Sequence, residues 1–215
     1  MAFTRPTLAG VSDILTGMSR WQDVPGAGDG RRYAARFDDL AATGVPVHGE
    51  AEFCSSLVAP GARVLDAGCG TGRLAGRLTA QGYDCVGVDI DASMLAVARD
   101  RFPRFSWIQV DLSALDLPDP FDLVVAAGNV IPLVAAGAEA GVVARLAQHL
   151  APDGLLVTGF GLDSAHLPLA SAPFSLSAYD GWCGDAGLVL VARYATWDRQ
   201  PYHQGGYAVS VHHQA

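Results

Sequence analysis

Three aspartates and three glycines carry the most legible chemistry in this chain. Asp66, Gly68, Gly70 and Gly72 alternate through the stretch VLDAGCGTGRLAGRL, Val64 to Leu78. Val64 and Leu65 read as the end of a strand, the glycines as a tight turn, and Leu74, Ala75 and Leu78 as the buried stripe of a helix. Such a turn lets backbone approach a ligand closely, and the first amides of the helix favour an anionic group by up to about 1 kcal/mol. Asp89 ends the next apolar run, DCVGVDID. An acid roughly 20 residues past a glycine turn is where doubly wound nucleotide sites meet the ribose hydroxyls. Asp111 closes a third run, Phe105 to Val110. The chemistry implied is the capture of a nucleoside-bearing cofactor.

Spacing separates the candidate cofactors. A dinucleotide fingerprint counted from Gly68 needs its third glycine where Arg73 stands, a bulky side chain where helix and strand must pack closely. The pattern is D-x-G-x-G-x-G instead. It resembles the first motif of class I S-adenosylmethionine-dependent methyltransferases, and the resemblance runs from about Ala62 to His213. The resemblance implies that Asp66, Gly68, Gly70 and Gly72 form the cofactor turn, that Asp89 meets the ribose hydroxyls and that Ile90 beside it also belongs to the cofactor site. It implies that Met94 covers the adenine, that Asp111 accepts from the adenine amino group, and that the Leu112 amide reaches a ring nitrogen. Gly128 and Asn129, at the exit of the fourth strand, would pass beside the methionine end. From the residues alone, Met94 also reads as core and Asp111 as a surface loop acid.

These residues need a scaffold that brings strand ends together. Strands are expected at Val64, at Cys85 to Val88, at Phe105 to Val110, in FDLVVAAGNVIPL and at Leu155 to Asp163, with helices between them. Ala138 to Leu150 reads as a crossover helix stopped by Pro152 and Gly154, and Asp91 as a helix cap. Ser177 to Ala186 is expected to be helical, followed by a hairpin of Leu188 to Trp197 and Tyr207 to His212. Strands joined by a short turn are antiparallel, so one strand of an otherwise parallel sheet should run backwards at its edge. The fold class expected is α/β, doubly wound, a seven-stranded mostly parallel sheet with a reversed terminal strand, as the resemblance also implies. Residues 61–215 would be the S-adenosylmethionine-binding core and residues 1–60 a helical segment. Thr7 to Met18 reads as a short helix. After the break PGAGDG, RRYAARFDDLAATG reads as another, with Tyr33, Phe37 and Leu40 on one face. Those aromatics either dock it on the core or, as in many methyltransferases of the resembled family, make it a lid with Tyr33 reaching the pocket.

Composition bounds the rest. The chain has 215 residues, half of them hydrophobic, which suits one domain with a substantial core. A net charge of −8 argues against a broad nucleic-acid footprint. All 14 basic residues are arginine, so lysine Schiff-base chemistry is excluded. The four cysteines form no C-x-x-C pair and lack zinc spacing, which points to a reduced, cytoplasmic protein with no metal. The opening MAFTRPTLAG does not read as a leader, and the uncharged run Leu123 to Ala138 is short for a membrane span and reads as a buried strand followed by a loop.

The function expected is methyl transfer from S-adenosylmethionine to a small molecule, with an NAD(P)-dependent oxidoreductase or a non-catalytic S-adenosylmethionine-binding domain as alternatives. His166 and His203 are the candidate bases, because only histidine titrates near neutrality without a large shift. Tyr33, Asn129 and Tyr202 are candidates for the substrate wall, although Tyr202 and His203 equally suit an exposed turn. His212 and His213, adjacent on a strand, point to opposite faces and away from the chemistry.

Overall fold

The computed structural model describes residues 18–215. The opening MAFTRPTLAG and, apart from Met18, the helix expected over Thr7 to Met18 lie outside the described residues. Seven strands, β1 (Arg63–Ala67), β2 (Asp84–Asp89), β3 (Ser106–Gln109), β4 (Phe121–Ala126), β5 (Leu150–Gly161), β6 (Leu188–Tyr194) and β7 (Tyr207–Gln214), form one sheet in the order 3-2-1-4-5-7-6. β1 to β5 are mutually parallel, and β7 is antiparallel to both of its neighbours, β5 and β6. This is the doubly wound α/β sheet with a reversed last strand.

One expectation is corrected. The reversed strand does not lie at the edge: β7 inserts between β5 and β6, and β6 is the outer strand. Burial gives the reason. Ala208, Val209, Ser210, Val211 and His212 are all buried, whereas Val189, Leu190 and Val191 of β6 are exposed. The better-covered strand takes the position with ladder partners on both sides.

Among the described residues seven α-helices flank the sheet: α1 (Gly30–Ala42), α2 (Gly49–Ser55), α3 (Arg73–Ala80), α4 (Ala92–Arg101), α5 (Val130–Leu133), α6 (Glu139–Gln148) and α7 (Leu176–Asp185). Side chains alternate across each strand, so Val64 and Leu65 feed different cores. Val64, Leu123, Val125 and Val209 pack with Phe53, Leu74, Leu78 and Leu95 of α2, α3 and α4. Leu65, Val124 and Leu156 pack with Ile131, Val142, Leu146 and Tyr179 of α5, α6 and α7. Strands covered on both faces read as the continuous apolar runs seen in the sequence.

Two local boundaries differ from expectation. β4 stops at Ala126, and Val130–Leu133 turns into a short helix entered through Asn129 at φ 71°. β5 begins at Leu150, because Phe121 pairs with Leu150 before the register shifts around Asp153, at φ 65°. The Pro152 and Gly154 signals mark that irregularity within a strand as well as the end of α6.

Candidate active site

The sheet order reverses between β1 and β4, so their carboxyl ends diverge and leave a crevice, the place where open α/β sheets bind ligands. A cavity lies there. Its floor is built from Asp66 on β1, Asp89 and Ile90 at the end of β2, Val110, Asp111 and Leu112 after β3, and Ala127 and Gly128 after β4. Strand ends thus bring together acids that are far apart in sequence.

Each acid is held differently. Asp66 is 3% exposed and accepts a hydrogen bond from the Ala75 amide at 3.1 Å. Burial pushes its pKa up to about 7, with the Ala75 amide and the Arg73 charge opposing the rise. Asp89 accepts from the Gly70 amide at 2.7 Å and the Asp91 amide at 2.8 Å. Burial raises its pKa too, against the pull of those two amides. The glycine turn is therefore pinned to the end of β2, and the Gly68 and Cys69 amides reinforce it by donating to the Val88 carbonyl. Asp111 caps a single turn, Leu112–Ala114, and uses one oxygen to accept from both the Ser113 amide and hydroxyl, each at 2.8 Å. Its other oxygen has no protein partner among the described residues.

The glycines divide into two roles. Gly70 and Gly128 lie on the cavity wall with φ of 54° and 76°, and an added Cβ at either meets nothing within 4 Å, so a side chain would stand in open space beside the cavity. That cradle fits a bulky cofactor laid against bare backbone. Gly72 is not on the wall: it caps α3 at φ 78°, and a Cβ there would come within 2.6 Å of Trp107. Met94 is 2% exposed and also lines the cavity.

Ser19, Trp21 and Tyr33 of the N-terminal stretch also line this cavity. Asp91 caps α4 and also accepts from the Trp21 indole at 2.8 Å and the Gly28 amide at 2.9 Å. Ser19 donates to the Leu133 carbonyl at 2.7 Å, and Arg20 pairs with the buried Glu139 at 2.8 Å. Tyr33 stands edge-on to Trp21, ring centroids 6.2 Å apart, and both line the cavity. Beneath them Arg73 forms a two-pronged pair with Glu50 at 2.6 and 2.9 Å, its guanidinium 4.7 Å above the Phe37 ring. Sequence reasoning took Arg73 only as an obstacle to a dinucleotide and Glu50 only as a helix-end acid. It missed Trp21 and the second role of Asp91 altogether; neither carries a local motif.

A second cleft adjoins the cavity and shares Trp21, Tyr33, Gly128 and Leu133 with it. Asn129 and His166 line this cleft, and the Asn129 amide group donates to the His166 carbonyl at 3.1 Å. His166 Nδ1 lies 2.7 Å from Asp163 Oδ1, a hydrogen bond that lowers the Asp163 pKa. Tyr202 and His203 line neither space. After β6 the Ala195 amide bonds back to the Gln200 carbonyl, while Trp197 and Arg199 settle on the Phe53 ring, which carries the turn toward α2. His212 is buried against the Tyr179 ring, away from both spaces, and burial drives its pKa down to about 4. Among the described residues no cluster of His, Cys, Asp or Glu has the geometry to hold a metal, and no helix is long and apolar enough to cross a membrane.

The reversed β7, the pinned glycine turn and acids at three successive strand ends define a nucleoside-cofactor site of the methyltransferase type. Comparison with known proteins agrees. A family model described as a methyltransferase domain matches residues 64–154. A TehB-like S-adenosylmethionine-dependent methyltransferase from Corynebacterium glutamicum superposes with a TM-score of 0.78 at 34% identity, covering 86% of this chain and 98% of that one. The chain belongs to the class I S-adenosylmethionine-dependent methyltransferases. It is 34% identical over 158 residues to a trans-aconitate 2-methyltransferase of Methylobacterium nodulans, covering 62% of this chain and 60% of that protein. To a dTDP-3-amino-3,4,6-trideoxy-alpha-D-glucopyranose N,N-dimethyltransferase of Streptomyces venezuelae it is 30% identical over 131 residues, covering 60% and 51% respectively. The chain thus spans only about half of the length of these curated relatives.

Proposed function

We propose that this protein transfers a methyl group from S-adenosylmethionine to a small-molecule acceptor. The observation that carries the reading is the acid-lined cavity at the switch point, opening past Trp21 and Gly128 into a second cleft. Asp89 would hold the ribose hydroxyls, Asp111 and the Leu112 amide the adenine edge, and Ile90 and Met94 its faces. Asp66 and the backbone from Gly68 to Gly70 would face the methionine end. When bound, S-adenosylmethionine supplies a methyl group already attached to an excellent leaving group.

The protein's own contribution is then chiefly positioning. Holding acceptor and methyl in line is worth about 7 to 11 kcal/mol, well above what a general base adds. The stretch Ser19 to Ala42 acts as the cover that excludes water, through the Asp91, Leu133 and Glu139 anchors. His166 would take the acceptor's proton at Nε2, with its Nδ1 held by Asp163 2.7 Å away. The trans-aconitate and amino-sugar relatives support a small acceptor, and a net charge of −8 opposes nucleic acid. Four free, buried cysteines fit a reducing cytoplasm.

Calorimetry should show binding of S-adenosylhomocysteine and none of NADH, and labelled methyl donor should mark a small-molecule product from a host metabolite extract. NADH binding without S-adenosylhomocysteine binding would favour an oxidoreductase. Donor binding with no labelled product would favour a non-catalytic domain. Once an acceptor is in hand, Asp163→Asn should lower kcat about tenfold while leaving S-adenosylhomocysteine affinity unchanged, because Asp163 holds the His166 ring together with the Ala165 and His166 amides and does not itself line the cofactor cavity. An unchanged kcat would mean that Asp163 does not position His166 for catalysis, and an unchanged kcat in His166→Ala would remove His166 from the mechanism.

A further inference from the structure

The two adjoining spaces have opposite charge. Asp66, Asp89 and Asp111 line the cofactor cavity, whose one cationic wall residue among the described residues, Arg73, is already paired with Glu50. Among the described residues the second cleft is lined by Arg32, Arg36 and His166 and by no acidic residue, in a chain that carries 22 acids against 14 arginines. Arg32 and Arg36 sit at i and i+4 on α1, so they share one face with Cβ atoms about 5–6 Å apart. Among the described residues neither guanidinium makes an ion pair or a hydrogen bond, whereas Arg20, Arg63, Arg73, Arg77, Arg101 and Arg193 are paired with acids; Arg31, Arg99, Arg104, Arg145 and Arg199 also lack an acid partner but line neither space. His166 enters the cleft from the segment after β5, and Asp163 beside it is engaged by its ring.

We infer that this cleft binds the methyl acceptor through an anionic group, a carboxylate or a phosphate, clasped by Arg32 and Arg36. The inference rests on the methyltransferase reading and adds the class of acceptor. An acidic protein repels an anion everywhere except where positive charge is left unneutralised, and here that charge lies beside the shared wall of Trp21, Tyr33 and Gly128. A planar guanidinium pair offers forked donors to either oxyanion, and the rest of the acceptor then extends toward the shared wall and His166. The cofactor's acid-lined cavity suits a cationic donor; the arginine-lined cleft suits an anionic partner for it.

The test is calorimetry on the full chain saturated with S-adenosylhomocysteine, using citrate and thymidine diphosphate as the carboxylate and phosphate probes. Triethyl citrate and thymidine are their neutral counterparts. At least one anion should bind, its counterpart should not, and raising salt should weaken the binding. The double variant R32Q/R36Q should bind that anion about tenfold more weakly, in keeping with two solvent-exposed charges, with unchanged S-adenosylhomocysteine affinity and melting temperature. Which anion binds distinguishes carboxylate from phosphate. If neither anion binds, if the neutral counterpart binds equally well, or if R32Q/R36Q keeps the parent affinity, the inference is overturned. If the parent fails to bind S-adenosylhomocysteine, the methyltransferase reading falls, and titration of the anions into the cofactor-free chain still decides the charge of the cleft.

Discussion

Asp89→Ala is expected to weaken S-adenosylhomocysteine binding by about hundredfold with little change in melting temperature. The carboxylate has two tasks. It is placed to accept from the ribose hydroxyls, and it already holds the Gly70 amide at 2.7 Å and the Asp91 amide at 2.8 Å. A charge-assisted hydrogen bond contributes roughly 1.5 to 3 kcal/mol, so losing the ribose contacts and the fixed turn together exceeds the ~2.7 kcal/mol that hundredfold represents. For the fold itself the two amide bonds are offset by the cost of burying the charge, which raises the pKa of this group. Asp89→Asn keeps one acceptor oxygen at the same reach and should fall between, near tenfold. Calorimetry with thermal melting separates the two contributions. Parent-like affinity in Asp89→Ala would end both the ribose assignment and the account of the pinned turn.

Much of this site was legible in the sequence because it depends on residues at strand ends. Asp66, Asp89 and Asp111 each follow an apolar run, and parallel strands necessarily bring such ends to one edge of the sheet. The same logic failed for the turn after β6. Its strand direction was read correctly, yet Tyr202 and His203 line neither space, because Trp197 and Arg199 find the Phe53 ring and carry the turn toward α2. That contact is between residues far apart in sequence and leaves no periodic trace. The place of β7 was obscured for a similar reason: a hairpin fixes antiparallel pairing but not which of its strands joins β5. Tyr33 was visible as an aromatic on an amphipathic helix, but its position over the cofactor floor depends on Trp21, Gly28 and Asp91, whose bonds cross some sixty to seventy residues of chain. Arg32 and Arg36 gave no signal either, since an unpaired arginine is recognised only once the positions of all the acids are known.

Asp66→Asn is expected to change stability in opposite senses for the free and the loaded protein, and pH exposes the difference. Burial raises the Asp66 pKa from 3.8 to about 7, so the folded state prefers its neutral form. A raised carboxyl pKa means that the folded chain binds more protons than the unfolded one between those values. Stability from this group is therefore full below about pH 4 and is lost as pH rises through 7. The accumulated cost above pH 7 is about 4 kcal/mol. Asparagine does not titrate, so the stability gap between variant and parent should move by about that amount, in favour of the variant, between pH 4 and pH 8. Taking the difference removes other titrating groups and the pH-independent cost of leaving an amide N–H buried. A cationic ligand in the cavity prefers the ionised carboxyl, so binding of S-adenosylmethionine to the parent should tighten about tenfold from pH 6 to pH 8, and Asp66→Asn should lose that slope. Urea unfolding at the two pH values measures the first effect and calorimetry the second. Parallel pH profiles for parent and variant in unfolding would mean that Asp66 is not held neutral by its burial. A missing slope in binding would mean that the donor's positive charge lies elsewhere than beside Asp66.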